Sequence, residues 1–314
     1  MPRRLRLRLL FVPLLAAGAA AVPVGPGPLL APATAVGECT AWSATPIASG
    51  LGTLENLSFD RRGAMLVSSS ERTGGGSVLR VAPSGEVTTL LDDVVSPGGQ
   101  VVRGRTLYVT TGNAAASGIL GRADGTLLAV DLRPAARGRA RTVAEGLTMP
   151  NGLIRLPGGD FVVSRDLGAT TSMTRLRRDG TRTPLAPSVT STNGMVLDRT
   201  GRFLFVVSTF TPTTTVSRVD LRRPDAAPRV FTVPGLGPLN AADEITRRGD
   251  DLYLTLNAAG RVVRLDPATG ETCVIAEGLA FASSLRFGAG PGWRARSLYV
   301  TGFTGTITRL DPPA

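Results

Sequence analysis

The chain has 314 residues, a formal net charge of +11 and no histidine, and all 35 of its basic side chains are arginine. Without histidine it cannot form a Ser-His-Asp triad or a histidine-ligated metal site, and without lysine it cannot form a Schiff base. The arginines are scattered and few aromatic residues lie among them, which disfavours a nucleic-acid partner. Any chemistry must therefore use carboxylates, amides, hydroxyls, arginine or a bound ion.

Residues 1–35 have the pattern of a secretory signal peptide. An apolar run follows a group of four arginines, Arg3, Arg4, Arg6 and Arg8, and a small-x-small site ends at Ala35. Glu38 precedes Cys39, where a lipoprotein signal requires a small residue, and no later segment has about 18 consecutive apolar residues. We therefore expect a secreted protein, cleaved near Ala35, without a stable membrane anchor.

The rest of the chain, residues 36–314, has the pattern of short β-strands. Runs such as "AMLVSS", "TLYVTT", "FLFVVS", "DLYLTL" and "SLYVTG" are separated by Gly, Pro, Asp and Asn, and no long segment has helical periodicity. This pattern predicts an all-β domain.

One phrase occurs six times: a short strand, a turn that contains Gly or Pro, and a second apolar strand. Its copies include "TPIASGLGTLENLSF", "TVAEGLTMPNGLI" and "TPLAPSVTSTNGMVL". Aligning the copies gives one equivalent position in each, occupied by Glu55, Gly99, Asn151, Asn193, Asp243 and Ser283. The mean interval of about 46 residues is the size of a four-stranded propeller blade.

The repeat predicts a six-bladed β-propeller over residues 36–314. The last copy contains only three strands, "SLRF", "SLYVTG" and "TITRLD". We expect its fourth strand to come from "TAWSATPIA" near the N-terminus, because a ring closed by both ends of the chain leaves no open sheet edge.

Equivalent starts of the innermost strands converge on the axis of a propeller. Four of the six side chains there are oxygen donors: Glu55, Asn151, Asn193 and Asp243. Two carboxylates and two amide carbonyls suit Ca²⁺, and the dication would offset two like charges in one channel. The competing interpretation is that each Asn-Gly pair is a tight hairpin turn.

Several phrases, in this order and spacing, resemble the SMP-30/gluconolactonase-like family of six-bladed propellers. They are "LENLSFD", "PNGLIRLPGGDFVVSRD", "TNGMVLDRTGRFLFVVSTF", "ADEITRRGDDLYLTLNAAG" and "SSLRFGAG". The resemblance implies a calcium-dependent hydrolase of lactones or related esters, with Glu55, Asn151, Asn193 and Asp243 as ligands. The chain departs from the family at Asn56-Leu57, where Gly-Pro is typical, and lacks a clear match to its sugar-contacting residues. The substrate therefore stays open.

In such a hydrolase we expect the ion to stabilise charge on the ester oxygen. Asp243 would activate a water as general base or attack directly, and Glu55 would anchor the metal. Zn²⁺, Mg²⁺ or Mn²⁺ are alternatives to Ca²⁺.

The loops between the second and third strands of each blade surround the same opening. They provide candidate contacts for a small-molecule substrate: Asn113, Arg165 and Asn257, together with Arg72, Asp166, Phe210 and Phe303. Each of these residues could equally be solvated or pack within its loop. The loop over residues 110–125 is long enough to act as a lid.

Two cysteines in an exported chain favour a disulfide between Cys39 and Cys273 near the point of ring closure. We expect a monomer. Because one fold supports several chemistries, two other functions stay open. One is a non-catalytic ligand-binding propeller with a structural ion, and the other is a cyclase, lyase or isomerase.

Overall fold

Six sheets, each built on four antiparallel strands, form the computed structural model, which describes residues 37–71, 75–133 and 138–314. The innermost strands contact one another in a closed circle, the sixth returning to the first. The predicted all-β, six-bladed propeller is therefore confirmed. The predicted signal peptide lies outside the described residues.

Blades 1 to 3 each contain four consecutive strands, which run in order from the axis outward. Blade 1 is β3 Thr53–Phe59, β4 Met65–Ser70, β5 Gly76–Val81 and β6 Val87–Leu91. Blade 2 is β7 Gln100–Arg103, β8 Thr106–Thr111, β9 Gly125–Asp131 and β10 Ala140–Leu147. Blade 3 is β11 Leu153–Arg155, β12 Phe161–Val163, β13 Met173–Leu176 and β14 Arg182–Leu185.

Blades 4 to 6 complete the ring. Blade 4 is β15 Thr192–Leu197, β16 Phe203–Ser208, β17 Thr213–Asp220 and β18 Arg229–Leu236. Blade 5 is β19 Ala242–Arg248, β20 Asp251–Leu256, β21 Arg261–Leu265 and β22 Thr272–Ala276, with β1 Gly37–Glu38 added outside β22. Blade 6 is β23 Ala282–Phe287, β24 Leu298–Gly302, β25 Thr306–Asp311 and β2 Ser43–Ala48.

Strand β2 closes the ring, as the sequence predicts, because it pairs with β25 in register from Ser43 with Asp311 to Ala48 with Ile307. The short strand β1 was not predicted, and it pairs in parallel with β22 of blade 5. The N-terminal segment therefore joins two neighbouring blades.

A disulfide between Cys39 and Cys273 fastens this segment, which confirms the predicted bond. The two Cα atoms are 5.3 Å apart and the cysteines are separated by 234 positions. In the chain-entropy account, closing so long a loop stabilises the fold by about 5 kcal/mol.

Two short helices occur in the described residues, both at the end of the ring where the innermost strands begin. Helix α1, Ala115–Leu120, lies between β8 and β9, and helix α2, Gly237–Asn240, lies between β18 and β19. Within the described ranges no helix has the length and apolar character needed to cross a membrane.

The hydrophobic core lies between the blades. Six clusters of buried side chains each join two neighbouring sheets. In the cluster between blades 6 and 1, for example, the rings of Phe59 and Trp293 pack at 5.2 Å between centroids. Burial on both faces explains why the strands have continuous apolar runs, and it leaves the polar side chains of the innermost strands to face the axis.

Candidate functional site at the channel mouth

Four of the six innermost strands contain a β-bulge at the repeat position that the sequence singles out. The pairing register shifts between Leu54 and Leu57, Thr192 and Met195, Ala242 and Ile245, and Ala282 and Leu285. Each bulge contains a predicted axial residue, namely Glu55, Asn193, Asp243 and Ser283. Because a bulge redirects the side chains within it, these four side chains break the regular in-and-out alternation of their strands. Gly99 and Asn151 lie just before β7 and β11.

The Asn-Gly pairs are not hairpin turns. Asn193 lies within β15, and the Asn151 N–H donates to the Ser164 carbonyl at 3.0 Å. Neither Gly152 nor Gly194 has a positive φ. Both glycines allow the innermost strands of neighbouring blades to approach closely. A Cβ on Gly152 would lie 2.7 Å from the Asn193 main-chain oxygen.

Glu55 and Asp243 belong to one hydrogen-bonded cluster. Asn113 Nδ2 donates to Glu55 Oε1 at 3.0 Å, and Asn257 Nδ2 contacts Asp243 Oδ2 at 3.4 Å. Ser283 contacts both acids, since its hydroxyl donates to the Glu55 carbonyl at 2.8 Å and lies beside the Asp243 carboxylate. The two predicted substrate contacts Asn113 and Asn257 therefore hold the predicted acidic ligands.

The two predicted amide ligands are buried at the same end. Asn193 Nδ2 donates to the Thr209 hydroxyl at 3.1 Å, while the Asn193 Oδ1 atom has no hydrogen-bond partner among the described residues. The Asn151 side chain lies beside the Asp166 carboxylate. An amide held by its nitrogen leaves its carbonyl oxygen available for a ligand.

Burial and the crowding of acids raise the pKa values of the two predicted carboxylate ligands. Burial, followed by the charge of Asp166, raises the pKa of Glu55 to about 7, although the hydrogen bond from Asn113 opposes the shift. Burial, followed by the charge of Glu55, raises the pKa of Asp243 well above its ordinary value. A bound cation would relieve this repulsion.

Asp166 and Glu244 complete the acidic cluster. Burial raises the pKa of Asp166 to about 6, partly offset by its hydrogen bond with Asn151, and its Oδ1 atom lacks a hydrogen-bond partner among the described residues. Burial likewise raises the pKa of Glu244, but the guanidinium of Arg286 pairs with that carboxylate and opposes the shift.

The donor set fits a hard cation. Four buried amide or carboxylate oxygens lack a hydrogen-bond or ion-pair partner in the described residues: Asn56 Oδ1, Asn113 Oδ1, Asp166 Oδ1 and Asn193 Oδ1. No group of three or more His, Cys, Asp or Glu side chains in the described ranges is arranged to hold a metal. An ion here would therefore depend on the amide oxygens as well as the acids, which is chemistry that Ca²⁺ accepts.

Other predicted contacts have different surroundings. The Arg165 guanidinium donates to two main-chain carbonyls, to Leu167 at 2.8 Å and to Gly118 of helix α1 at 2.6 Å. Arg165 therefore fastens α1 to blade 3. Phe210 is 44 % exposed and Phe303 is half-buried, whereas Arg72 lies outside the described residues.

Sequence reasoning missed Glu244, Arg286 and Thr209. A signal for Glu244 was present, because polar residues also follow several of the axial positions. Asn56, Gln100, Glu244 and Ser284 are all buried. These four residues form a second polar layer, which the repeat predicts only when the positions directly after the axial residues are also compared.

Fold and site together define a six-bladed propeller with a buried cluster of carboxylate and amide oxygens at one end of its axis. No protein-family model and no curated protein sequence matches the chain. Among solved structures it is similar to a gluconolactonase from Xanthomonas campestris, with 18 % identity, a TM-score of 0.65, and coverage of 86 % of this chain and 89 % of that one.

Two other similar structures carry different chemistry. A catalytically inactive virginiamycin B lyase from Staphylococcus aureus, with quinupristin, has 12 % identity and a TM-score of 0.61, covering 86 % of this chain and 99 % of that one. The PQQ-bound aldose sugar dehydrogenase from Streptomyces coelicolor has 15 % identity and a TM-score of 0.61. The match covers 88 % of this chain and 99 % of that one. At these identities the likeness establishes the fold, and the gluconolactonase among the neighbours agrees with the resemblance in sequence.

Proposed function

We propose that this protein is an exported, calcium-dependent hydrolase of lactones or related esters. The observation that supports the proposal most strongly is the buried cluster of oxygen donors around Glu55 and Asp243, in which acids repel one another and amide oxygens lack partners. A disulfide is typical of exported proteins and supports that part of the proposal.

Glu55, Asn151, Asn193 and Asp243 would hold the ion. When bound, Ca²⁺ would polarise the ester carbonyl and stabilise the charge that develops on its oxygen. Glu55 is the anchoring acid, since Asn113 holds its Oε1 atom and Ser283 holds its main chain. Asp166 has an unpartnered oxygen and can accept a hydrogen bond from the substrate.

Asp243 acts as general base. It takes a proton from a water molecule, whose oxygen forms a bond to the ester carbonyl carbon. The ester C–O bond then breaks, and the leaving alkoxide takes the proton back from Asp243. Asn257 orients the base through its contact with Asp243 Oδ2. Because coordination would lower the basicity of a carboxylate, Asp243 would be the stronger base where its carboxylate is free of the ion.

The test combines calcium titration by calorimetry with turnover of a panel of lactones and aryl esters. Asp243→Asn should lower turnover by at least about 100-fold, the usual contribution of a general base. The matched control is Asp251→Asn, whose carboxylate pairs with Arg264 at the far end of blade 5, and it should retain wild-type turnover. Full activity of Asp243→Asn would refute the assigned role.

Two further outcomes distinguish the alternatives. Ion binding with no turnover of any ester would indicate a binding propeller. Product analysis in ¹⁸O-labelled water separates a hydrolase from a lyase, because hydrolysis incorporates the label into the acid product and elimination does not.

A further inference from the structure

The exposed large apolar side chains of the described residues gather at one end of the ring. Eight such side chains are 44 to 68 % exposed, and only Val230 lies at the far end. The other seven occupy loops or strand ends at the channel mouth, where Glu55 and Asp243 lie: Val95, Ile119, Leu120, Phe210, Leu236, Leu239 and Phe281.

Positive charge has the opposite distribution. Within the described residues, the loops at the far end of the blades contain thirteen arginines, whereas the loops at the mouth contain two, Arg122 and Arg165. Arg165 is already bonded to main-chain carbonyls. The mouth therefore has little positive charge, and its loops also carry exposed acids: Asp92, Asp93, Asp124 and Glu277. Seven exposed apolar side chains at the end of the ring that holds the acidic cluster mark this end as a binding region.

The apolar side chains are connected directly to the site. Phe210 follows Thr209, the partner of Asn193, and the Phe281 carbonyl accepts a hydrogen bond from Asn257. Helix α1, which carries Ile119 and Leu120, begins two residues after Asn113, the partner of Glu55. A ligand whose polar end reaches the acidic cluster would thus place the rest of its length against these side chains.

We propose that the preferred substrates are lactones or esters with a long hydrocarbon substituent, which lies across an apolar rim formed by Ile119, Leu120, Phe210, Leu239 and Phe281. This inference rests on the proposed hydrolase function and adds the substrate class. The five rim side chains are hydrocarbon and offer no hydrogen-bonding group to a polyhydroxylated substituent. It provides instead apolar area, whose burial favours binding by about 0.8 kcal/mol for each methylene, or roughly fourfold in affinity.

The experiment measures kcat/KM for γ-lactones of increasing alkyl chain length, from unsubstituted γ-butyrolactone to γ-dodecalactone. The expected result is a rise of about two- to fourfold per methylene, mainly through KM, until the chain extends past the rim. Phe210→Ser, Leu239→Ser and Phe281→Ser should each lower kcat/KM for the longest lactone about tenfold more than for the unsubstituted one. Val230→Ser removes an equally exposed apolar side chain at the far end and should keep the wild-type dependence.

Failures of the inference and of the proposed function are distinguishable. Turnover of all lactones with no dependence on chain length would overturn the apolar rim and leave the hydrolase intact. If no lactone or ester is turned over, the hydrolase fails, and the rim is then tested by calorimetric binding of alkyl-substituted γ-lactams. An affinity for the lactams that rises with alkyl chain length and falls in the three rim variants supports the proposal that the rim binds the hydrocarbon chain. Lactam binding independent of chain length, or binding only of phosphatidylcholine vesicles, overturns it.

Discussion

Asn113, on the loop before helix α1 of blade 2, donates a 3.0 Å hydrogen bond to Glu55 in the innermost strand of blade 1. The loop between β8 and β9, at the channel mouth, is thereby joined to the acid that we propose as the anchor of the ion. Arg165 holds the same loop from the other side through the Gly118 carbonyl.

Asn113→Ala should weaken calcium binding by about tenfold, because partners of metal ligands orient them and stabilise their charged form. Calorimetric titration checks this expectation. Ser117→Ala is the matched control, since its hydroxyl bonds Asp124 on the same loop and does not contact Glu55. Equal affinities of the two variants would contradict the assigned role of Asn113.

The metal-free protein should lose stability as the pH rises from about 5 to 8. Glu55 has an ordinary pKa of 4.5 and a folded-state pKa of about 7. A group whose folded pKa is raised contributes stability that is fully present below its unfolded pKa and is lost as the pH rises through its folded pKa. Tm measured in EDTA should therefore fall across this range, and Asp243 should add to the fall because its pKa is also raised.

Excess Ca²⁺ should reverse this trend, because binding to the charged acids favours the folded state. Glu55→Gln supplies the control, since it cannot ionise and should flatten the fall in EDTA. A wild-type Tm that rises from pH 5 to 8 in EDTA would show that the acids are not crowded as described.

The blades and the axial positions could be predicted from the repeat, because the period of a strand and the length of a blade are local features of the sequence. The ring closure by β2 followed from counting strands. The bulges were not predictable, since they depend on pairing register, which one strand alone does not specify. The extra strand β1 and the pairing of Arg286 with Glu244 were missed for a related reason: both join distant parts of the chain.

The disulfide gives a third prediction. Cys39→Ser with Cys273→Ser should lower the free energy of unfolding by up to about 5 kcal/mol in the chain-entropy account. Denaturant unfolding measures the change. Dithiothreitol should bring the wild type to the stability of the double variant and leave that variant unaltered, whereas a wild type insensitive to reduction would indicate that the bond contributes little.

Gly194→Ala should destabilise the fold and disturb the site together. A Cβ at this position would lie 2.7 Å from the Asp243 carbonyl oxygen, so the innermost strands of blades 4 and 5 would have to separate. Overpacking of this kind costs about 1–3 kcal/mol. Gly158→Ala is the matched control, because no atom lies within 4 Å of its added Cβ and its φ is not positive. Chemical denaturation and calcium titration of both variants test the prediction, and a Gly194→Ala protein as stable as Gly158→Ala would show that this approach of the two strands is not constrained.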